Sequence, residues 1–179
     1  MLSKLKEINP IILFVLRFLA LLLVWEVLYT FVIEPDGRLD AWLTSKVASV
    51  SVYLMNLFGL NVVSKEILFG CQALLFHGSK LLKIAHPCNG LLLFVLYSSF
   101  LISFKGDWLV KIIMLVIGFV GIFGINILRV IALVYIQIHM PKYLDFSHKW
   151  LFTIVVYSFV FFLWMLWVNK FSKLTWVKK

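Results

Sequence analysis

Charge is what this chain has least of. Asp, Glu, Lys and Arg make up 14% of its 179 residues, where soluble domains carry about a quarter. A water-soluble globule is excluded. Cysteine is sparse too, with Cys71 and Cys88 allowing one disulfide at most. No further Cys follows His86 and Cys88 at finger or deaminase spacing, and no two of the four histidines stand i, i+4 on one helix, so no metal site is expected. Internal repeats and low-complexity tracts are missing. What fills the chain is apolar side chains, 63% of the total, which makes it an integral membrane protein. Its length suits one integral membrane domain over 1–179 with at most about six or seven spans and no large soluble appendage.

The formal net charge of +9 does not point to nucleic acid, because the basic residues flank apolar runs instead of clustering on one polar face. Lys170, Lys173, Lys178 and Lys179 sit beside Trp176 as a cytoplasmic anchor. Hydropathy gives four runs: Ile11 to Ile33, Leu91 to Phe104, Trp108 to Ile138 and Trp150 to Val168. The first is too long for a signal-peptide core and lacks a small-residue cleavage site after it, so it is kept as a span. The third exceeds one span and is expected to project or kink. Along it Gly118, Gly121 and Gly124 form a small-residue stripe suited to helix packing.

With Lys4, Lys6 and the basic tail inside, Lys105, Asp107 and Lys111 fall in the cytoplasm, and Glu34, Asp36, Asp40, Cys88 and His148 fall outside. Ala41 to Leu60 is amphipathic, with Leu43, Val47, Val50, Leu54 and Leu57 on one stripe and Lys46, Ser49, Tyr53 and Asn56 on another, and is expected as an outer-surface or partly buried helix. Between Asn61 and Pro87 the helical period fades, and a hairpin of Ala73 to Phe76 with Leu81 to Ala85 is predicted outside the hydrocarbon. The expected fold is an all-α membrane protein: about four transmembrane helices, an outer-surface amphipathic helix and a small extracytoplasmic hairpin.

Polar residues within apolar runs carry the functional information, since an ionisable group costs about 2.5 to 3.5 kcal/mol at a helix centre. Arg129 stands in such a run with Asn126 on the same face. It is either a site residue or a side chain snorkelling to outer head groups. Arg17 and Glu26 lie on nearly opposite faces of the first span, so they do not pair with each other. Glu26 is either a hydrogen-bond partner or a site residue, and Arg17 snorkels inward. Cys88, after Pro87, is predicted to open a span near the positive helix end, as a reactive thiol or else as a structural cysteine joined to Cys71. His148 follows Ser147, a candidate cap, and can move protons near pH 7. His86, His139 and His77 are rivals on the same side. His86 is the strongest of these, because an extended chain would place it on the face of Cys88.

Cys88-Asn89-Gly90, then Asn126-x-x-Arg129, then His148 before the last span together resemble the exosortase and archaeosortase family of multi-pass cysteine transpeptidases, over roughly Asn61 to Val168. Cys-Asn-Gly stands here where Cys-Ser-Gly is the commoner family form. The resemblance implies an enzyme of the bacterial cytoplasmic (inner) membrane with its active site on the extracytoplasmic side and no cofactor. Its partners would be the lipid bilayer and exported proteins with a C-terminal sorting tail, made of a short motif, a hydrophobic helix and a basic end. Cys88 would be the nucleophile that forms a thioester, Arg129 would stabilise thiolate or oxyanion, and His148 would carry the proton. Two other classes stay open at this point: a non-catalytic scaffold of an envelope-export system that uses Arg129 and Glu26 for helix association, and a small redox or haem protein.

Overall fold

The computed structural model describes residues 10–171. The basic tail from Lys173 onward and Lys4 and Lys6, on which the expected orientation leans, lie outside the described residues. Helix α1 runs Pro10–Asp36 and ends at Gly37, whose φ of 64° reverses the chain into α2, Arg38–Leu57. Three strands follow: β1 Val62–Glu66, β2 Gln72–Phe76 and β3 Ser79–Ile84. A single 3-10 turn, His86–Cys88, leads to α3, Leu91–Ser103. Helices α4, Trp108–His139, and α5, Pro141–Phe171, complete the chain.

Helices α1, α4 and α5 are long and apolar enough to cross a membrane. In water their outward faces would be untenable: Leu23, Phe31, Leu109, Val120, Trp150 and Ile154 are all exposed, as a lipid solvent permits and an aqueous one penalises. The run at Leu91, expected as a span, forms a shorter apolar helix of 13 residues, a rise of about 20 Å against roughly 30 Å of hydrocarbon, so crossing would need its flanking residues or a locally thinner membrane. Helix α4 is unbroken over 32 residues, about 48 Å and longer than the hydrocarbon, in keeping with the expected projection, and its last turns bury Val130, Leu133 and Val134.

Two apolar clusters result, and α4 enters both. One joins Leu93, Tyr97 and Leu101 of α3 with Met114 and Ile122 of α4 and Val156, Val160, Leu163 and Trp167 of α5. The other joins Val47, Ala48 and Met55 of α2 with Val62, Leu74 and Ile84 of the sheet and Val130 and Val134 of α4. The glycine stripe is used differently from the expected helix-to-helix approach. A Cβ on Gly118 would collide with the Tyr97 ring and one on Gly121 with Phe159, while Gly124 faces open space.

Three expectations need correction. The fold is mostly helical but not all-α: the hairpin is part of an antiparallel sheet in the order β1-β2-β3, turned between β2 and β3 at His77 and Gly78, both with positive φ. Strand β1 went unrecognised because Val62–Glu66 shows no clean alternation of its own and gains its ladder only from β2. The buried stripe of α2 is Asp40, Leu43, Thr44, Val47, Ala48, Ser51 and Met55, with Leu57 exposed. Three polar side chains turn inward, so an apolar period locates that face wrongly. Asn56 is exposed, as expected of the polar stripe, and from there mimics a neighbouring strand by donating to Val62 O at 3.0 Å and accepting from Val62 N at 2.9 Å.

Candidate active site

Cys88 does not open a helix. Pro87 lies inside the 3-10 turn, Gly90 takes φ 88°, and α3 begins only at Leu91. The turn uses its own amides: Cys88 N donates to Ala85 O at 2.9 Å and Asn89 N to His86 O at 3.0 Å. Gly90 is required twice over. Its φ disfavours any L side chain, and a Cβ there would come within 3.1 Å of the Asn126 side chain.

From the far side of the turn comes α4. Asn126, 1% exposed, donates from Nδ2 to Cys88 O at 3.1 Å. One turn later on the same face, Arg129 brings Nη2 to 3.9 Å from Cys88 Sγ and 3.4 Å from His148 Nε2. Its Nε is buried and without a partner among the described residues. The Arg129 guanidinium is therefore turned toward Cys88 and His148. His148 arrives from the first turns of α5, where the backbone widens into a π turn over Ser147–Leu151, a local form often found at functional sites. Its Nε2 is 3.5 Å from Cys88 Sγ. Ser147 caps nothing: helix has already begun at Leu144, and Ser147 is buried inside it.

The rival histidines are elsewhere. The 3-10 turn rotates His86 away from the sulfur, and its ring bonds Thr44 Oγ1 at 3.3 Å through Nδ1 and the Phe69 carbonyl through Nε2. His77 sits in the β2–β3 turn, and His139 ends α4 against the Tyr135 ring. Cys71 and Cys88 are both free thiols, with Cys71 buried on the sheet side. Glu26 and Arg17 are exposed on α1, and Glu26 lines a recess of about 240 Å³ with Tyr29, Asp40, His86 and Asn89. No group of three or more His, Cys, Asp or Glu side chains arranged to hold a metal occurs among the described residues.

Sequence reasoning missed the polar residues behind the turn. Asp40, taken as an outer-loop acid, is 3% exposed. Its Oδ1 accepts from Asn89 Nδ2 at 2.8 Å and its Oδ2 from the Tyr29 hydroxyl at 3.0 Å. The available signal was Asp40 and Thr44 at i, i+4 on a helix face they share with Leu43, Val47 and Ala48.

A thiol, an imidazole and a guanidinium within mutual reach can exchange a proton and hold the resulting negative charge. On the other flank of Arg129, a groove of about 750 Å³ between α4 and α5 is walled by Ile125, Leu128, Ile131, Phe152, Val155 and neighbours. The site thus lies where an apolar groove meets polar side chains. No curated protein and no solved structure matches the chain. The profile of the transmembrane exosortase family matches residues 11–169, nearly the whole chain and all three members of the triangle, and the protein belongs to that family.

Proposed function

We propose that the protein is a membrane cysteine transpeptidase or endopeptidase that cleaves C-terminal sorting tails of exported proteins through a thioester on Cys88. Family membership suggests membrane transpeptidation in general terms. The observation that carries the finer reading is the triangle itself: Sγ to Nε2 at 3.5 Å and Nη2 to Nε2 at 3.4 Å, built from three separate elements.

In the proposed reaction His148 Nε2 takes the thiol proton as Cys88 Sγ attacks the scissile carbonyl. The carbonyl π pair moves onto oxygen. Collapse of that oxyanion breaks the C–N bond, and His148 returns its proton to the departing amine, leaving an acyl thioester. An acceptor amine or water then gives a proton to His148 and attacks the thioester. The second tetrahedral species expels the Cys88 thiolate, which recovers the proton.

Arg129 is the reasonable holder of the oxyanion. The amides of Cys88 and Asn89 are engaged within the turn, so the backbone donors nearest the nucleophile are occupied. The Arg129 edge has an unpaired Nε beside Nη2. A preorganised cation in a site of low dielectric is worth far more there than in water.

We place the site at the extracytoplasmic face of the bacterial cytoplasmic membrane, where a translocated tail, anchored by its own helix, brings the scissile bond to a fixed depth and removes much of the entropy of encounter. The test is capture of the intermediate. Protein in bilayer nanodiscs is mixed with a reporter bearing the C-terminal motif, apolar helix and basic end found on exported proteins of the same genome. A covalent adduct that resists reductant, yields to hydroxylamine and disappears in Cys88→Ala is expected. Unchanged cleavage by Cys88→Ala would sink the assignment.

A further inference from the structure

Behind the turn that carries Cys88 lies a set of buried hydrogen bonds for which the triangle has no use. Asn89 and Asp40 are 1% and 3% exposed, and neither belongs to an apolar cluster. Asn89 Nδ2 donates to Asp40 Oδ1 at 2.8 Å, while Asn89 Oδ1 accepts from Leu91 N at 2.8 Å. The amide can face only one way, because a flip would set its oxygen against the carboxyl group and its NH₂ against an N–H donor. Thr44, one turn after Asp40, bonds His86 Nδ1 at 3.3 Å and lies 3.5 Å from Asn89 Nδ2. Thus α2 holds His86 at the start of the turn and Asn89 just after it, and Asn126 of α4 holds the carbonyl of its last residue, Cys88, from across.

We propose that Asp40 is a positioning residue: through the Asn89 amide it fixes the nucleophile turn so that the Cys88 sulfur stays within reach of Arg129 and His148. Fold stability alone does not call for a carboxyl group here. It forms no ion pair with a cation among the described residues, and a buried acid without a cation is costly. What the carboxyl group supplies is direction. A three-residue turn with two internal amide bonds can pivot, and misplacement of a reacting atom by about 1 Å costs about 100-fold in rate. The Tyr29 hydroxyl at 3.0 Å from Oδ2 limits rotation of the carboxyl group in turn.

The activity arm of the test rests on the proposed role of Cys88, and a second arm does not. Full-length protein carrying Cys71→Ala, in nanodiscs, is assayed for reporter processing and, separately, for alkylation of Cys88 by iodoacetamide. Asp40→Asn is expected to lower kcat about 10- to 100-fold with KM changed less than about twofold, and to slow alkylation several-fold. The exchange Asp40→Asn with Asn89→Asp restores a donor facing an acceptor and keeps the Leu91 amide satisfied, so it should recover most of both losses. Tyr29→Phe, which removes one donor only, should shift both readouts by a few-fold in the direction of Asp40→Asn. Asp40→Asn within twofold of the parent in both readouts would overturn the proposal. So would an exchanged pair no better than the single variant, and so would failure of the single variant and the exchanged pair alike to accumulate, which would make Asp40 a folding residue. If the parent processes no tail at all, the reaction assignment falls, and the alkylation series alone decides the strut.

Discussion

His148 Nε2 stands 3.5 Å from the Cys88 sulfur across sixty residues of chain, and Arg129 Nη2 closes the third side at 3.4 Å. Each corner comes from a different element, so each side chain can be replaced while the contact between the other two is kept.

Arg129 separates a catalytic site from a merely charged one. Lysine keeps the charge but lacks the planar fork that can hold sulfur, imidazole and oxyanion together. Arg129→Lys should accumulate normally and lose about 100- to 1000-fold in processing rate, followed by gel shift of the tail-bearing reporter at matched protein levels. Arg17→Lys, on the exposed surface of α1, should be near neutral. Equal activity of the two variants would strip Arg129 of its assigned role.

The two imidazoles near the nucleophile differ in what they touch. His148→Ala removes the proton carrier and should cost about 100- to 10,000-fold. His86→Gln can keep a bond to Thr44, and its cost should stay within about tenfold. Single-turnover rates at several pH values test the contrast. A larger loss at His86 would move the general base to that residue.

Cys71 is a buried free thiol just before β2, and it makes no contact with Cys88, Arg129 or His148 among the hydrogen bonds of the site. Cys71→Ala should process the reporter at parental rate, and Cys88→Ala should not process it at all. If the two variants were equally dead, a disulfide or a structural role for both would be the better account.

Sidedness is open to direct labelling. A membrane-impermeant maleimide should modify Cys88 from outside intact spheroplasts. It should spare Lys105→Cys, placed in a Cys-free background at the opposite end of α3. Labelling of position 105 alone would reverse the orientation and remove the site from the side where exported tails emerge.

Gly118 tests the packing that supports α3 and α4. The Tyr97 ring covers it, and the Tyr97 hydroxyl donates to Met114 O at 2.8 Å. Gly118→Ala should destabilise by about 1–3 kcal/mol through overpacking, read as a lower midpoint of thermal unfolding in detergent. An unchanged midpoint would mean that the ring moves aside freely.

The parts legible in the sequence were those where polar cost stands out against an apolar run. Arg129 with Asn126, Cys88 beside Gly90 and His148 before the last run are visible because hydrocarbon makes such residues expensive. The structure brings all of them to one place. What stayed hidden depends on partners far along the chain. Asp40 reads as an outer-loop acid, and Thr44 and Ser51 carry no signal of their own, until His86 and Asn89 are seen to bond Thr44 and Asp40. Likewise β1 has no signal without β2 beside it. His86 was misjudged for a local reason: two residues of extended chain repeat a face, whereas two residues of 3-10 turn rotate away from it.

Helix α4 threads both apolar clusters, giving Met114 and Ile122 to one and Val130 and Val134 to the other, with Arg129 near their join. One residue inserted between Ile122 and Asn126 would turn everything beyond it by about 100°. The second cluster, the Asn126 clasp on Cys88 and the guanidinium would all be lost together. Descent with modification can therefore trade side chains along this segment but cannot change its length, and an insertion scan should find there the least forgiving stretch of the chain, with the β2–β3 turn at His77 and Gly78 among the most forgiving.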